Sequence, residues 1–434
     1  MENLDILVSA EFLLTLEDEN ILTDTAVGIK GDTIVSVGKT QKLLDQFFPK
    51  NHFHYEHGLI MPGLINAHTH IPMTLFRGLA DDLPLMTWLN KYIFPLEKKL
   101  KPEWVYWGAL LGCAELIMSG TTCFCDMYLF ADEVAKAADR AGLRAVVGEV
   151  LYDFPSPNYG PIENGFIYTE TLIQKWSNHP LISIAVEPHA VYTCSPELLK
   201  QAKKISEKYN VPYVIHLAET KTEVEKTKEK FYCTPPQHLA NLGILDETVI
   251  ADHCVWLTDL DIELIEKHQV KVVHNPESNL KLASGIAPIP TLLSQDITVS
   301  LGTDGPASNN DLDMFLEMDT AAKMHKLKQE NPTLMPAWQV LAMATKQGAK
   351  TLGMGEKIGT ITPGKKADLI VLDFNQPHLI PVYNPVSHLV YTASGKDVLT
   401  TIVNGKVLME NRKIQNLDLE EIYGQIKAIT REFG

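Results

Sequence analysis

The sequence predicts an α/β fold, a (β/α)8 barrel of the TIM type, with a small β domain assembled from the two ends of the chain. Three observations carry this expectation. Across residues 58–367, eight short β-rich apolar runs are each followed by a stretch with helical spacing, the layout of a parallel barrel. Residues 1–57 and 368–434 lack that rhythm and resemble each other more than either resembles the middle. Most of the eight apolar runs also end in His or Asp, and burying such groups is costly unless something pairs with them.

At the N-terminus, Ile6 to Val8, Phe12 to Leu16, Ala26 to Lys30 and Thr33 to Val37 alternate or run apolar between turn residues such as Gly31-Asp32, which predicts strands. The same texture returns in Ala367 to Asp373 and Leu399 to Lys406, so the two ends are expected to pair. The central strands are expected at Gly63–His70, Thr121–Met127, Arg144–Val150, Ile182–His189, Pro212–Glu219, Val249–Val255, Lys271–Asn275 and Thr298–Asp304. Ala131 to Ala141 and Pro196 to Tyr209 show the spacing of connecting helices. An open doubly wound sheet is the alternative, but no G-x-G-x-x-G supports it. Gly359 to Lys366 imitates a phosphate loop, yet Lys366 stands where Ser or Thr is needed and a strand follows instead of a helix.

Bulk properties narrow the partners. A formal net charge of −16 argues against DNA or RNA, because phosphate binding needs clustered Lys and Arg. The six cysteines form no C-x-x-C pair, which suggests neither a disulfide framework nor a thiolate zinc site. The acidic N-terminal stretch does not read as a signal peptide. No apolar run reaches the roughly 18 residues of a membrane span. A cytoplasmic enzyme is the expectation, with homo-oligomerisation left open.

The strand ends carry the chemistry. In a barrel they meet at one face, where barrel enzymes place their active sites. His68 and His70 are two apart, so on a strand both face one side and can reach one ion. With His216 and Asp304 they make a three-His, one-carboxylate set that suits Zn²⁺ or Fe²⁺ better than Ca²⁺ or Cu⁺. Such an ion lowers the pKa of bound water toward about 7. Glu219, three residues past His216, is the expected proton donor and acceptor. His253 is expected to orient the attacking water or to bind the ion. His274, followed by Asn275-Pro276, suits a loop-shaping part as readily.

These residues resemble the amidohydrolase superfamily, and within it the 5′-methylthioadenosine/S-adenosylhomocysteine deaminase group. The carrying motifs are Met61-Pro62-Gly63-Leu64-Ile65-Asn66-Ala67-His68-Thr69-His70, Pro188-His189, Thr193-Cys194-Ser195, His216-Leu217-Ala218-Glu219, the stretch His274 to Gly285, and Leu301-Gly302-Thr303-Asp304-Gly305. The resemblance implies a barrel flanked by a β-sandwich built from both termini, and one metal on His68, His70, His216 and Asp304. Ile182 to His189 has no lysine, which favours the mononuclear type. It further implies hydrolytic deamination at C6 of an adenosine-type nucleoside, with Glu219 protonating N1 and Asp304 or His253 taking the proton of water. Glu97 would hold the ribose hydroxyls, His189 would contact the nucleoside, and Trp88 would line the pocket.

One departure bears on the substrate. Relatives that take S-adenosylhomocysteine are expected to use arginines after the third strand, and Gly148 to Tyr159 has none, with Arg144 early in the strand. A neutral 5′ group (methylthioadenosine, adenosine or 5′-deoxyadenosine) is therefore favoured. The nearest rival is a deaminase or hydrolase of guanine, a pterin or a chlorotriazine, against which Glu97 argues, since a free base has no ribose. His54-Tyr55-Glu56 mimics the H-x-E of cytidine-type deaminases, but their P-C-x-x-C partner is missing. A metal-stabilised, non-catalytic scaffold would not need Glu219.

Overall fold

The structure is a computed structural model that describes residues 2–83 and 85–433. All eight expected central runs form parallel strands, in two sheets. One contains Leu64–Thr69, Thr121–Tyr128, Arg144–Leu151 and Ile182–Ile184, and the short Glu187–Pro188 also pairs with Arg144–Leu151. The other contains Tyr213–Leu217, Val249–His253, Lys271–His274 and Val299–Leu301. Isolated parallel bridges link the sheets at Val186 with Tyr213, at Ala190 with His216, and at Thr69 with Asp304. Helices follow the strands, including Ala131–Ala141 and Pro196–Tyr209 at the expected bounds. The second begins where Ser195 caps the Leu198 amide, an ordinary N-cap.

Six of the eight strands are shorter than expected, two of them for evident local reasons. The run Ile182 to His189 is broken after Ile184, and its second piece ends at Pro188, which has no N–H for a ladder. The last strand stops at Leu301 because the chain then turns, with Asp304 at a φ of 60°. Most strand residues are buried on both sides, as in sheets covered by helices.

The two ends of the chain share one eight-stranded sheet. Ile6–Val8 and the first three residues of Phe12–Leu16, expected as separate strands, fall within one strand, Glu2–Leu14, which continues past its bulge at Ala10/Phe12 but stops before Thr15 and Leu16. Phe47–Pro62 was not anticipated; its first part, Asn51 to His57, is too polar to read as a strand by pattern. It crosses residue 57 unbroken and pairs antiparallel with Leu369–Asp373, Gly58 opposite Asp373 and Pro62 opposite Leu369. An apolar cluster including Val8, Val27, Ile60, Leu369 and Ile402 lies within this sheet. Arg144 ties the sheet to the parallel strands: its Nε donates to Asp368 Oδ2 at 2.8 Å and its Nη2 to Oδ1 at 3.2 Å.

Candidate active site

His68, His70, His216 and Asp304 converge where the ends of the first, fifth and last parallel strands meet. The seam is pinned by the backbone: the Asp304 amide donates to the His68 carbonyl at 3.0 Å. The Thr69 hydroxyl donates to the Asp304 carbonyl at 2.9 Å. His70 Nε2 lies 3.4 Å from His216 Nε2 and 3.1 Å from Asp304 Oδ1, and His68 Nε2 lies 3.6 Å from the same oxygen.

The outer nitrogen of each ring is engaged elsewhere. His70 Nδ1 donates to the Met127 carbonyl, His216 Nδ1 donates to the His189 carbonyl at 2.8 Å, and His68 Nδ1 sits 3.0 Å from Asp252 Oδ2. This leaves three Nε2 atoms facing one another as acceptors, the arrangement metal-ligating histidines use. Asp304 is aimed in the same way. Its Oδ2 accepts from Ser278 at 2.5 Å and Ser308 at 2.9 Å, while Oδ1 faces the rings.

The residues present fit a divalent ion. His68 Nε2 is buried and has no hydrogen-bond partner among the described residues. Against burial, which lowers it, Asp252 and Asp304 push the His68 imidazole up to about 10. Their carboxylates thus create a field that calls for positive charge at this point. Burial drives His216 well below its usual value, so it is a neutral ligand type. Three imidazoles and a carboxylate are a zinc-like donor set.

A cavity of about 700 Å³, counted out to its open mouth, adjoins the cluster. Every other residue expected at the site lines it: Glu219, His253, His189, Glu97 and Trp88. Glu219 is buried, and burial raises its carboxyl above the usual range. His253 Nδ1 lies 2.9 Å from Asn279 Oδ1 and 3.3 Å from Asn275 Nδ2. The shorter contact, to an acceptor, makes the ring the donor there and leaves Nε2 free. His189 is bound to the Thr193 hydroxyl at 2.9 Å, and burial pushes it down to about 3. It is a neutral hydrogen-bonding group at pH 7. Burial pushes Glu97 up to about 7, against the pull of the neighbouring Tyr128 hydroxyl.

His274 points elsewhere, its Nε2 lying 3.1 Å from His325 Nε2 in a buried pair outside the cavity. Sequence reasoning missed Tyr128, Tyr152 and Tyr192 on the cavity wall. Tyr128 follows the last residue of the expected second strand, so reading strand ends for aromatics as well as for His and Asp would have found it. It also gave no role to Ser278, inside the His274 to Gly285 stretch, or to Ser308, four residues past Asp304; their contact with its carboxylate appears only in the fold. No Lys or Arg lines the cavity among the described residues.

A model of the amidohydrolase family matches residues 59–408. A relative from Syntrophobacter fumaroxidans named 5-methylthioadenosine/S-adenosylhomocysteine deaminase is 54% identical, over 98% of this chain and 98% of its own. One from Syntrophus aciditrophicus, named 5-methylthioadenosine/S-adenosylhomocysteine deaminase 1, is 50% identical over 99% and 97%. Among solved structures, an adenosine deaminase from Xanthomonas campestris with bound zinc superposes with a TM-score of 0.97, at 37% identity and 99% coverage of both chains.

Proposed function

The chain belongs to the amidohydrolase family, and from that premise we propose that it is a metal-dependent hydrolytic deaminase of adenosine-type nucleosides. Its substrates are 5′-methylthioadenosine, S-adenosylhomocysteine, adenosine or 5′-deoxyadenosine, and its products the inosine-type nucleoside and ammonia. One observation carries the reading: a single cavity is lined by His70, His216 and Asp304 of the cluster that His68 completes behind it, and by Glu219 and Glu97. The first set suits attack on a purine ring, and Glu97 suits a ribose.

In this reading His68, His70, His216 and Asp304 hold one divalent ion, most simply Zn²⁺, with Fe²⁺ the alternative. When bound, the ion supplies a water acidified enough to react at neutral pH. Asp304, steered by Ser278 and Ser308, accepts a proton from the attacking water, and His253 hydrogen-bonds that water through Nε2. Glu219 gives its proton to N1 as the water oxygen bonds to C6, so charge does not build on the ring. Asp304 then passes its proton to the exocyclic nitrogen, the C6 hydroxyl gives its proton to Glu219 as the C6–N bond breaks, and ammonia leaves. Glu97 accepts from the ribose hydroxyls, His189 contacts the nucleoside, and Trp88 forms part of the pocket wall.

We read the two parallel sheets, bridged at both seams, as one closed (β/α)8 barrel over residues 58–367. The terminal sheet, with its own apolar cluster, is read as the β-sandwich of residues 1–57 and 368–434. No described helix is long and apolar enough to cross a membrane, and all six cysteines are free. Both are in keeping with a reaction in the reducing cytoplasm.

The test is ammonia release with the ultraviolet change from adenine to hypoxanthine, on adenosine, methylthioadenosine, S-adenosylhomocysteine and free adenine, with and without chelator. Chelator-sensitive turnover of the nucleosides is expected. Silence on all of them by metal-loaded protein would overturn the reading and direct the search to guanine, pterins and chlorotriazines.

A further inference from the structure

Glu219 does not reach the cavity by strand geometry alone. The strand ends at Leu217, and Ala218, a residue with a Cβ, then adopts a left-handed φ of 51°. A non-glycine residue held there is strained and persists only where its surroundings enforce it. Two sets of contacts do so. The Ala218 carbonyl accepts from the amides of Val255 at 3.1 Å and Trp256 at 2.9 Å, beyond the end of the neighbouring strand. The amides on the other side both go to one carboxylate: Ala218 N–H donates to Glu223 Oε1 at 3.1 Å and Glu219 N–H to Glu223 Oε2 at 2.8 Å.

Glu223 is itself fixed. It lies in the first turn of helix Lys221–Phe231, where its amide donates to the Thr220 hydroxyl at 3.2 Å, and it is 4% exposed. A Glu at this position of a capping box usually turns back to the cap residue. Here its side chain reaches further back, to the residues that aim Glu219. It does not line the cavity, so its work is done through Glu219.

We propose that Glu223 is a positioning residue for the deamination: its carboxylate clamps the Ala218 and Glu219 amides and so holds the Glu219 carboxyl where N1 is protonated. This rests on the deaminase reading above. Glu223→Gln keeps the size of the side chain but presents an N–H₂ group to one of the two amides, which breaks half of the clamp. Its expected effect is a fall in kcat of about tenfold or more with KM within a few-fold, as for an interaction that serves the transition state. Metal content should stay at the wild-type level.

The discriminating experiment is a double-mutant cycle on the metal-loaded protein with Glu219→Gln, Glu223→Gln and both. If Glu223 acts through Glu219, Glu223→Gln adds about twofold or less once Glu219→Gln is present, since residues acting as a unit are strongly non-additive. Purine ribonucleoside gives a second readout, because its ring takes up water at C6 only as N1 is protonated. Its affinity should fall in Glu223→Gln with kcat, while affinity for the inosine-type product holds. Full additivity in the cycle, or a wild-type kcat in Glu223→Gln, would overturn the proposal. A loss of activity that merely tracks a loss of folded protein on melting would do so too. A wild-type protein inert on every nucleoside would sink the deaminase reading instead, so the two failures are told apart.

Discussion

His216 donates its Nδ1 hydrogen to the main-chain carbonyl of His189 at 2.8 Å. The contact joins two adjacent strand ends with different tasks, since His216 Nε2 faces the ligand cluster while the His189 ring lines the cavity. Because the acceptor is a carbonyl, His216 is held in the tautomer with Nε2 unprotonated whatever side chain stands at 189.

That separation can be checked by mutation. His189→Ala keeps the carbonyl, so the variant should retain the wild-type metal content while KM for nucleosides rises roughly tenfold, the worth of a lost hydrogen bond. His216→Ala should lose both metal and turnover. Metal analysis beside steady-state kinetics settles it, and a metal-free His189→Ala would contradict the tautomer argument.

Much of this site was legible in the sequence because a barrel brings its strand ends together. Once eight runs were recognised, His68, His70, His216, His253 and Asp304 had to gather at one face. Glu219 followed from its place three residues past His216, while Glu97, His189 and Trp88 followed from motif resemblance, and all four line the cavity. What stayed hidden depends on contacts between distant segments. Nothing near Glu223 in the sequence says that its carboxylate turns back past its helix cap to two strand-end amides. Ser278 reaches Asp304 across 26 positions. The strand Phe47–Pro62 was also invisible, because the pairing that makes Asn51 to His57 extended lies with Glu2–Leu14 and not in its own pattern.

With Glu97 as the proposed ribose ligand, nucleoside recognition is expected to depend on pH. Burial lifts its carboxyl from the ordinary 4.5 to about 7, so it is neutral at pH 6 and ionised at pH 8. Only the carboxylate accepts from both ribose hydroxyls, hence kcat/KM for a nucleoside should rise as pH passes through about 7. Glu97→Gln should remove that limb and lower kcat/KM at pH 8 roughly tenfold to a hundredfold, the range for hydrogen bonds to a charged group. An unchanged limb in the variant would assign it to another group.

Arg144 and Asp368 form a bidentate pair with side chains 4% and 2% exposed, and Asp368 Oδ1 also accepts from the Asn404 amide at 2.7 Å. Removing one partner strands a buried charge, at a cost of about 3–5 kcal/mol. Asp368→Ala should therefore melt several degrees lower while kcat per folded molecule stays near wild type, because neither residue lines the cavity. Calorimetry with active-site titration distinguishes this from direct catalytic loss.

The same geometry takes Arg144 away from the substrate and leaves the wall beyond the third strand aromatic. Val150 and Tyr152 line the cavity there, and Tyr152 stacks on Phe154 with ring centroids 3.8 Å apart and planes 12° from parallel. The cavity is lined by the carboxyl side chains of Glu97, Glu219 and Asp304 and by no Lys or Arg among the described residues. With the nucleoside's 5′ end set against this wall, a methylthio group or bare hydroxyl would meet a compatible surface. The amino-acid end of S-adenosylhomocysteine brings a carboxylate with no cation to receive it, and desolvating an unpaired charge is expensive. The kcat/KM for methylthioadenosine should accordingly exceed that for S-adenosylhomocysteine by about tenfold or more, each tenfold corresponding to about 1.4 kcal/mol. Phe154 is 36% exposed, so Phe154→Arg can present a guanidinium beside Tyr152 without entering the core. That variant should raise kcat/KM for S-adenosylhomocysteine and leave methylthioadenosine within a few-fold. Equal rates on both substrates in the wild type would mean that the 5′ carboxylate stays in solvent at the mouth, and the aromatic wall would then have no part in selection.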